Sequence, residues 1–197
     1  MKKFALPIIL IIVAIALYGW VKGFYNKAIT LKEDATKEWG NVENQYQRRF
    51  DLIDNLVATV KGYAAHEKET LEAVIKARAQ ATSTSIDPTN LTPEKLAEFQ
   101  KAQQGLSGAL NRLMVVVERY PDLKADQHFL ELQSQIEGTE NRINVARDRF
   151  NEAVRPYNKH IKKFPGNFLA GIFNLEEMNY FKSEAGAEKA PKVDFSK

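Results

Sequence analysis

"LKEDATKEWGNVENQYQRRFDLIDNLVATVKG", residues 31–62, decides the fold of this chain. Leu31, Ala35, Trp39, Val42, Tyr46, Phe50, Ile53, Val57 and Val60 recur at steps of three and four. That period lines one face of an α-helix. The stripe is narrow, as in coiled-coil-like packing, so the helix needs partners with matching stripes. The chain supplies them. Phe129, Leu132, Ile136, Thr139, Ile143, Ala146, Phe150, Ala153 and Tyr157 form a second stripe, and Leu96, Phe99, Leu106, Leu110, Leu113 and Val117 mark a third. Beyond Lys22 there is almost no strand signal. The pattern predicts an all-α fold, an N-terminal transmembrane helix followed by an antiparallel four-helix bundle of long helices.

The breaks between helices are readable. Residues 82–92, "TSTSIDPTNLT", form a polar loop, and Thr92 before Pro93 is an N-cap followed by proline at the first helical position. Pro121 biases Tyr120 away from helical angles and ends the third helix. Phe164–Pro165–Gly166 ends the last long one. A single helix over 26–81 would reach ~84 Å, longer than anything available to pack on it. Gly62 offers the break, and the stripe loses phase at 66–69 before resuming at Leu71, Val74 and Ile75. Helices over 26–62 and 126–163 then have matching lengths, in an up-down-up-down order. Pro156 removes a backbone donor inside the last of them and is expected to kink it.

Residues 4–21, "FALPIILIIVAIALYGWV", are free of charge and closed by Lys22. As helix they span ~27 Å, close to the ~30 Å hydrocarbon core. Tyr18 and Trp20 stand where amphipathic rings favour the interface. The competing reading is a cleaved signal peptide with "AIA" (14–16) at the cleavage site, but the apolar run continues to Val21. A retained anchor is expected, contacting the bilayer through residues 4–21. Lysines flank it on both sides, so the positive-inside rule sets no orientation. The domains read as an anchor (1–22), a helical bundle (23–182) and an Ala-, Lys- and Glu-rich disordered tail (183–197).

Composition excludes several functions. The chain has 197 residues and no cysteine, which removes thiolate metal sites, disulfides and Cys nucleophiles. Its 28 basic and 25 acidic residues are interspersed, so no nucleic-acid footprint is expected. Ferritin-like di-metal sites need Glu-x-x-His on two helices, and no histidine here has Glu three residues earlier. The reversed order occurs at His66/Glu69 and His128/Glu131, which leaves a metal-dependent enzyme as the alternative reading. His66–Glu67 begins a zinc-protease motif, but Thr70 stands where its second histidine belongs. Ser107 in "GLSGA" lies within a helix and lacks the strand–turn–helix elbow. No catalytic residue and no cofactor is expected.

Two other sets of residues stand out. Arg48, Arg49, Asp51, Asp54 and Asn55 flank the first stripe, while Glu140, Asn144, Arg147 and Asn151 run beside the second. Antiparallel helices with flush ends pair positions that sum to about 189, which sets Arg49 level with Glu140 and Arg48 level with Asn141. A polar seam through Arg48, Arg49, Asp51, Asn55, Glu140, Asn141 and Arg147 would fix register, against two independently solvated faces. The same parity returns the C-terminal segment to the bilayer. There Phe168, Leu169, Ile172 and Phe173 form either an interfacial apolar face or a cap on the bundle core.

"RRFDLIDNLVATVKGYAAHEKETLEAVIKARAQA" (48–81) resembles the first long signature of the LemA family of bacterial membrane proteins. "YPDLKADQHFLELQSQIEGTENRINVARDRFNEAVRPYN" (120–158) looks like the second, and "FPGNFLAGIF" (from 164) like its C-terminal segment. The likeness covers about residues 20–182. Asp54 stands where relatives usually carry proline in a "DLIPNL" pattern. The resemblance implies a membrane segment followed by an antiparallel four-helix domain, with no associated enzymatic activity or catalytic residues. The resemblance leaves the molecular role open. The reading of the residues as a whole leads us to expect a non-enzymatic, single-pass protein of the bacterial inner membrane, acting as a scaffold or interaction module for an unidentified membrane or membrane-proximal protein. The side of the membrane and the oligomeric state stay open.

Overall fold

The computed structural model describes residues 2–84, 86–88 and 91–182; the tail expected over 183–197 lies outside the described residues. Among the described residues six helices follow in order: α1 (Lys2–Tyr63), α2 (Lys68–Ser83), α3 (Pro93–Val117), α4 (Pro121–Lys124), α5 (Gln127–Lys162) and α6 (Gly166–Ile172). No strand occurs among the described residues. Helix α1 runs unbroken for 62 residues, so the apolar N-terminal segment and the first bundle helix are one rod of ~93 Å. It is the one helix among the described residues long and apolar enough to cross a membrane. Ile8 to Leu17 stand exposed, with Tyr18 and Trp20 exposed after them.

Packing begins at the end of the apolar run, with Val21 partly covered and Phe24 the first buried residue. From there α1 lies along α5, and α2 lies along α3. Trp39, Val42, Tyr46, Phe50, Ile53 and Val60 are buried on α1, facing Phe129, Leu132, Ile136, Ile143, Phe150 and Tyr157 of α5. The apolar face is wider than the stripe in the sequence. Leu52 and Leu56 are buried as well, while Leu31, Val57 and Ala153 are only partly covered and Val154 is fully buried. Pro156 lies inside α5, which continues unbroken to Lys162.

The helix ends follow local chemistry. Ala64 donates to the Val60 carbonyl at 2.8 Å and Glu67 to Ala64 at 3.0 Å, turning the chain from α1 into α2. The Thr92 hydroxyl accepts from Lys95 N–H at 3.3 Å, with Pro93 at the first helical position. Helix α3 stops at Val117, and Pro121 opens the one-turn α4. Asp126 caps α5 by accepting from Phe129 N–H at 2.8 Å, and its other carboxylate oxygen accepts from the Tyr63 hydroxyl at 2.9 Å. The far ends of α1 and α5 are thereby tied.

At the opposite end the bundle closes on α1 just past the apolar segment. The Phe24 and His160 rings stack at 4.4 Å, and His160 Nε2 lies 3.0 Å from the Phe24 carbonyl oxygen. Gly166 sits so close that a Cβ there would meet the Phe24 ring at 2.4 Å, so the start of α6 needs glycine. Tyr25 meets Phe173 at 4.9 Å. Helix α6 is therefore held beside the segment of α1 that leaves the apolar run.

The Asp126 carboxyl is held below the usual carboxylate value, first by the Phe129 N–H and next by the Tyr63 hydroxyl. A lowered acid stabilises the fold above its unfolded pKa, and the contribution disappears as pH falls through the folded value. The partner phenol of Tyr63 is raised by the same hydrogen bond, so its contribution is lost only as pH rises through its folded value. Asp126→Asn, still a good N-cap, is expected to preserve most stability at neutral pH and to flatten the acid limb. Urea unfolding followed by circular dichroism from about pH 2 to about pH 7 measures this.

Candidate functional site: a buried arginine and a clamped C-terminal strap

Arg49 is 2% exposed, on the inner face of α1. Its Nη2 lies 2.9 Å from Glu140 Oε1 of α5 and donates at 2.8 Å to Ser107 Oγ of α3. The Ser107 hydroxyl donates in turn to the Gln103 carbonyl at 3.3 Å, and Gln103 Nε2 donates to the Ala81 carbonyl of α2 at 3.5 Å. One polar chain thus crosses all four long elements. Burial pulls the Arg49 guanidinium below its ordinary value, and the charge of Glu140 pulls it back up. Arginine starts so far above neutrality that it stays charged.

The other residues of the expected seam do not join this chain. Arg48, Asp51, Asn55 and Asn141 are exposed. Arg48 and Asn141 make no hydrogen bond to each other among the described residues, and Asp51 accepts from Gln47 within α1 at 2.8 Å. The seam is one buried residue deep, because successive helical residues turn by about 100° and only Arg49 points at α5. Asp54, in place of the proline of related patterns, pairs with Arg78 of α2 at 2.6 Å.

Arg147 faces a different element. Residues 173–182 follow α6 without helix or strand and run back along α5. Asn158 Nδ2 donates to the Met178 carbonyl at 2.7 Å, while Met178 N–H donates to Asn158 Oδ1 at 2.9 Å. Asn151 repeats the arrangement on Phe181, at 3.0 Å and 2.9 Å. A side-chain amide has one donor group and one acceptor, so each asparagine reproduces the paired bonds of a neighbouring strand residue. Tyr157 OH donates to the Glu176 carbonyl at 2.9 Å, and Asn179 Nδ2 to the Leu91 carbonyl at 2.6 Å. The strap is anchored by Phe181, which stacks on Trp39 at 5.5 Å and meets Phe150 edge-on at 5.6 Å. The Arg147 guanidinium lies over the Phe181 ring at 4.7 Å and donates to the Lys182 carbonyl at 3.2 Å.

The apolar C-terminal residues divide. Leu169 turns inward at 8% exposure and belongs to the core, not to an outer face. Phe168 and Ile172 stand 67% and 70% exposed, with Phe164 at 79% beside them and Phe173 partly exposed. The histidine–glutamate pairs do not meet. His66, Glu69, His128 and Glu131 are all exposed on outer faces, and no group of three or more His, Asp or Glu able to hold a metal forms among the described residues. The metal-enzyme alternative therefore lacks a ligand set. The reason is the packing: the apolar residues beside these side chains take the inward positions.

The strap was missed because no helical or strand period marks it. Its signals were available: Leu175, Met178 and Phe181 at three-residue spacing, facing Asn151 and Asn158 at seven.

These features define a helical-bundle protein with an apolar leading segment, associated with membranes and offering no assembled catalytic centre among its described residues. The chain belongs to the LemA family, whose match covers residues 38–195. It is similar to Magnetosome protein MamQ 2 of Paramagnetospirillum magneticum, 27% identical over 93% of this chain and 74% of that protein. Magnetosome protein MamQ of Magnetospirillum gryphiswaldense is 27% identical over 83% and 66%. Protein LemA of Metamycoplasma hominis is 23% identical over 81% and 73%.

Replacing Glu140 by glutamine keeps an acceptor within reach but removes the only carboxylate paired with the buried guanidinium among the described residues. Glu140→Gln is expected to destabilise the fold by about 1–3 kcal/mol, and adding Arg49→Met to recover part of that loss. A double-mutant cycle in denaturant unfolding measures the coupling, which should be well above the value for an exposed pair.

Proposed function

We propose that this protein is a non-enzymatic, single-pass scaffold or interaction module of the bacterial inner membrane, whose bundle is held against the bilayer at two places. The observation that carries this is the continuity of α1 through Phe24, where α6 is locked beside the rod. Residues 4–21 form the first attachment. The second is the exposed face of α6 and its approach, Phe164, Phe168 and Ile172, with Phe173 at its edge. Lys159, Lys162 and Lys163 precede it, the mix of apolar and basic residues that suits a headgroup boundary. Two attachments fix the tilt of the bundle, so the outer faces of α2 and α3 are presented to a membrane-proximal protein in a set orientation. A single anchor would leave that orientation free.

Spin labelling tests the second attachment. The chain has no cysteine, so Phe168→Cys gives a single site in the full-length protein. In lipid bilayers the label is expected to be accessible to oxygen and shielded from a water-soluble nickel complex. The reverse pattern, matching a label at exposed Val115 on α3, would remove the second attachment and leave a bundle tethered by α1 alone.

A further inference from the structure

Tyr46 and Arg49 of α1 border α3. On another side of the same rod, α1 and α5 enclose a groove of about 380 Å³ whose lining residues all belong to these two helices. Asn41 and Gln45 line it from α1, and Arg142, Val145, Ala146 and Arg149 from α5. No carboxylate lines it. Val145 is 50% exposed on the groove wall, while Ala146 beside it is buried. Gln45 Oε1 is buried and has no hydrogen-bond partner among the described residues. Arg142 and Arg149 are exposed, and neither makes an ion pair or a hydrogen bond among the described residues. Two helical turns separate them, ~10.5 Å along α5.

We propose that this groove is a docking site for a helix of a partner protein that bears two carboxylates two turns apart, with small residues between them. Arg142 and Arg149 each take one carboxylate through the paired N–H groups of a guanidinium. Small side chains between the two acids let the helix settle on Val145 and Ala146, covering apolar surface that α1 and α5 leave to water. A serine among them supplies the donor that Gln45 Oε1 needs.

Charge and position select this occupant over three others. Asn41 and Gln45 stand ~28–35 Å along α1 from Lys22, several times the ~8 Å over which exposed charges act at physiological salt. Headgroups at the level of Lys22 are therefore out of reach. A second copy anchored in the same bilayer stands at the same height. A two-fold axis along the membrane normal would then set each arginine level with its own counterpart, and like charges would meet. A bare polyanion would satisfy the arginines but leave Val145 exposed and Gln45 without a donor. The groove is distinct from the outer faces of α2 and α3, and its occupancy does not depend on the α6 attachment.

Binding to the full-length protein in phosphatidylcholine nanodiscs tests this, with anionic headgroups kept out of the measurement. The probe is a labelled helix, stapled on its far face, with two glutamates two turns apart and alanine and serine between them. The control has the same composition, with its glutamates on opposite faces. By fluorescence anisotropy the probe is expected to bind at least ~10-fold more tightly than the control. R142E/R149E should remove that preference and leave the thermal melt by circular dichroism unchanged, since both side chains are exposed. The same variant should bind a probe with lysine in place of both glutamates, a recovery that a damaged fold could not give. Equal affinity for probe and control, affinity indifferent to R142E/R149E, or failure of the lysine probe on that variant overturns the proposal. So does a single-stranded oligonucleotide that binds as tightly as the probe and is lost in R142E/R149E, because the groove would then be reading charge alone.

Discussion

A guanidinium taken out of water loses several kcal/mol of solvation unless its surroundings return it. Arg49 is in that position, and its surroundings answer from two neighbouring helices, α5 and α3. Glu140 supplies the countercharge and Ser107 a neutral acceptor, and Ser107 leans in turn on the α3 backbone beside Gln103. These groups meet only if α1, α3 and α5 hold one axial position relative to one another. A stripe of aliphatic side chains tolerates sliding by a turn, since one leucine replaces another. An arginine with one carboxylate at its level does not. The ion pair contributes little net energy against an apolar substitute, and its physical role is to set the register.

Register carries the remaining geometry. Tyr63 with Asp126, Arg49 with Glu140 and Trp39 with Phe150 keep one constant alignment, each step along α1 answered by a step back along α5. Helices α2 and α3, with 16 and 25 residues, cannot cover an α5 of 36. The uncovered length of the α1–α5 pair is closed by the strap. Trp39 shows the substitution directly, since it packs on Phe99 of α3, Phe150 of α5 and Phe181 of the strap. An extended segment has no internal hydrogen bonds to satisfy its main chain. Asn151 and Asn158 provide them from the side.

Much of this is legible in the sequence where periodicity speaks. The stripes over 31–60 and 129–157, the break after Gly62 and the Thr92–Pro93 cap follow from spacing and from backbone chemistry. Matching the two helix lengths sets Arg49 level with Glu140, and a 2.9 Å ion pair stands at that level. What the helix count cannot convey is which neighbours of Arg49 turn outward, as Arg48 does, or that Leu169 turns in while Phe168 turns out. Those depend on rotations of a few tens of degrees, set by side-chain packing. Asp54 reads in the sequence as an odd acid in place of proline, and its meaning waits on Arg78, which lies 24 residues away in the chain. The strap is recognised through its main chain, so its side chains carry only a three-residue echo.

The central claim is that α1 is one rod and that α5 returns along it in register, bringing the C-terminal segment back to the level where the apolar run ends. Distance measurement between paired spin labels tests this most directly, and the absence of native cysteine allows it. In the full-length protein in bilayers, labels at Lys27 and Lys159 should lie within ~20 Å, while labels at Lys27 and Lys124 should lie ~55 Å apart, the rise of the intervening α1 residues. A short distance for the second pair, or a broad distribution for the first, would contradict the account.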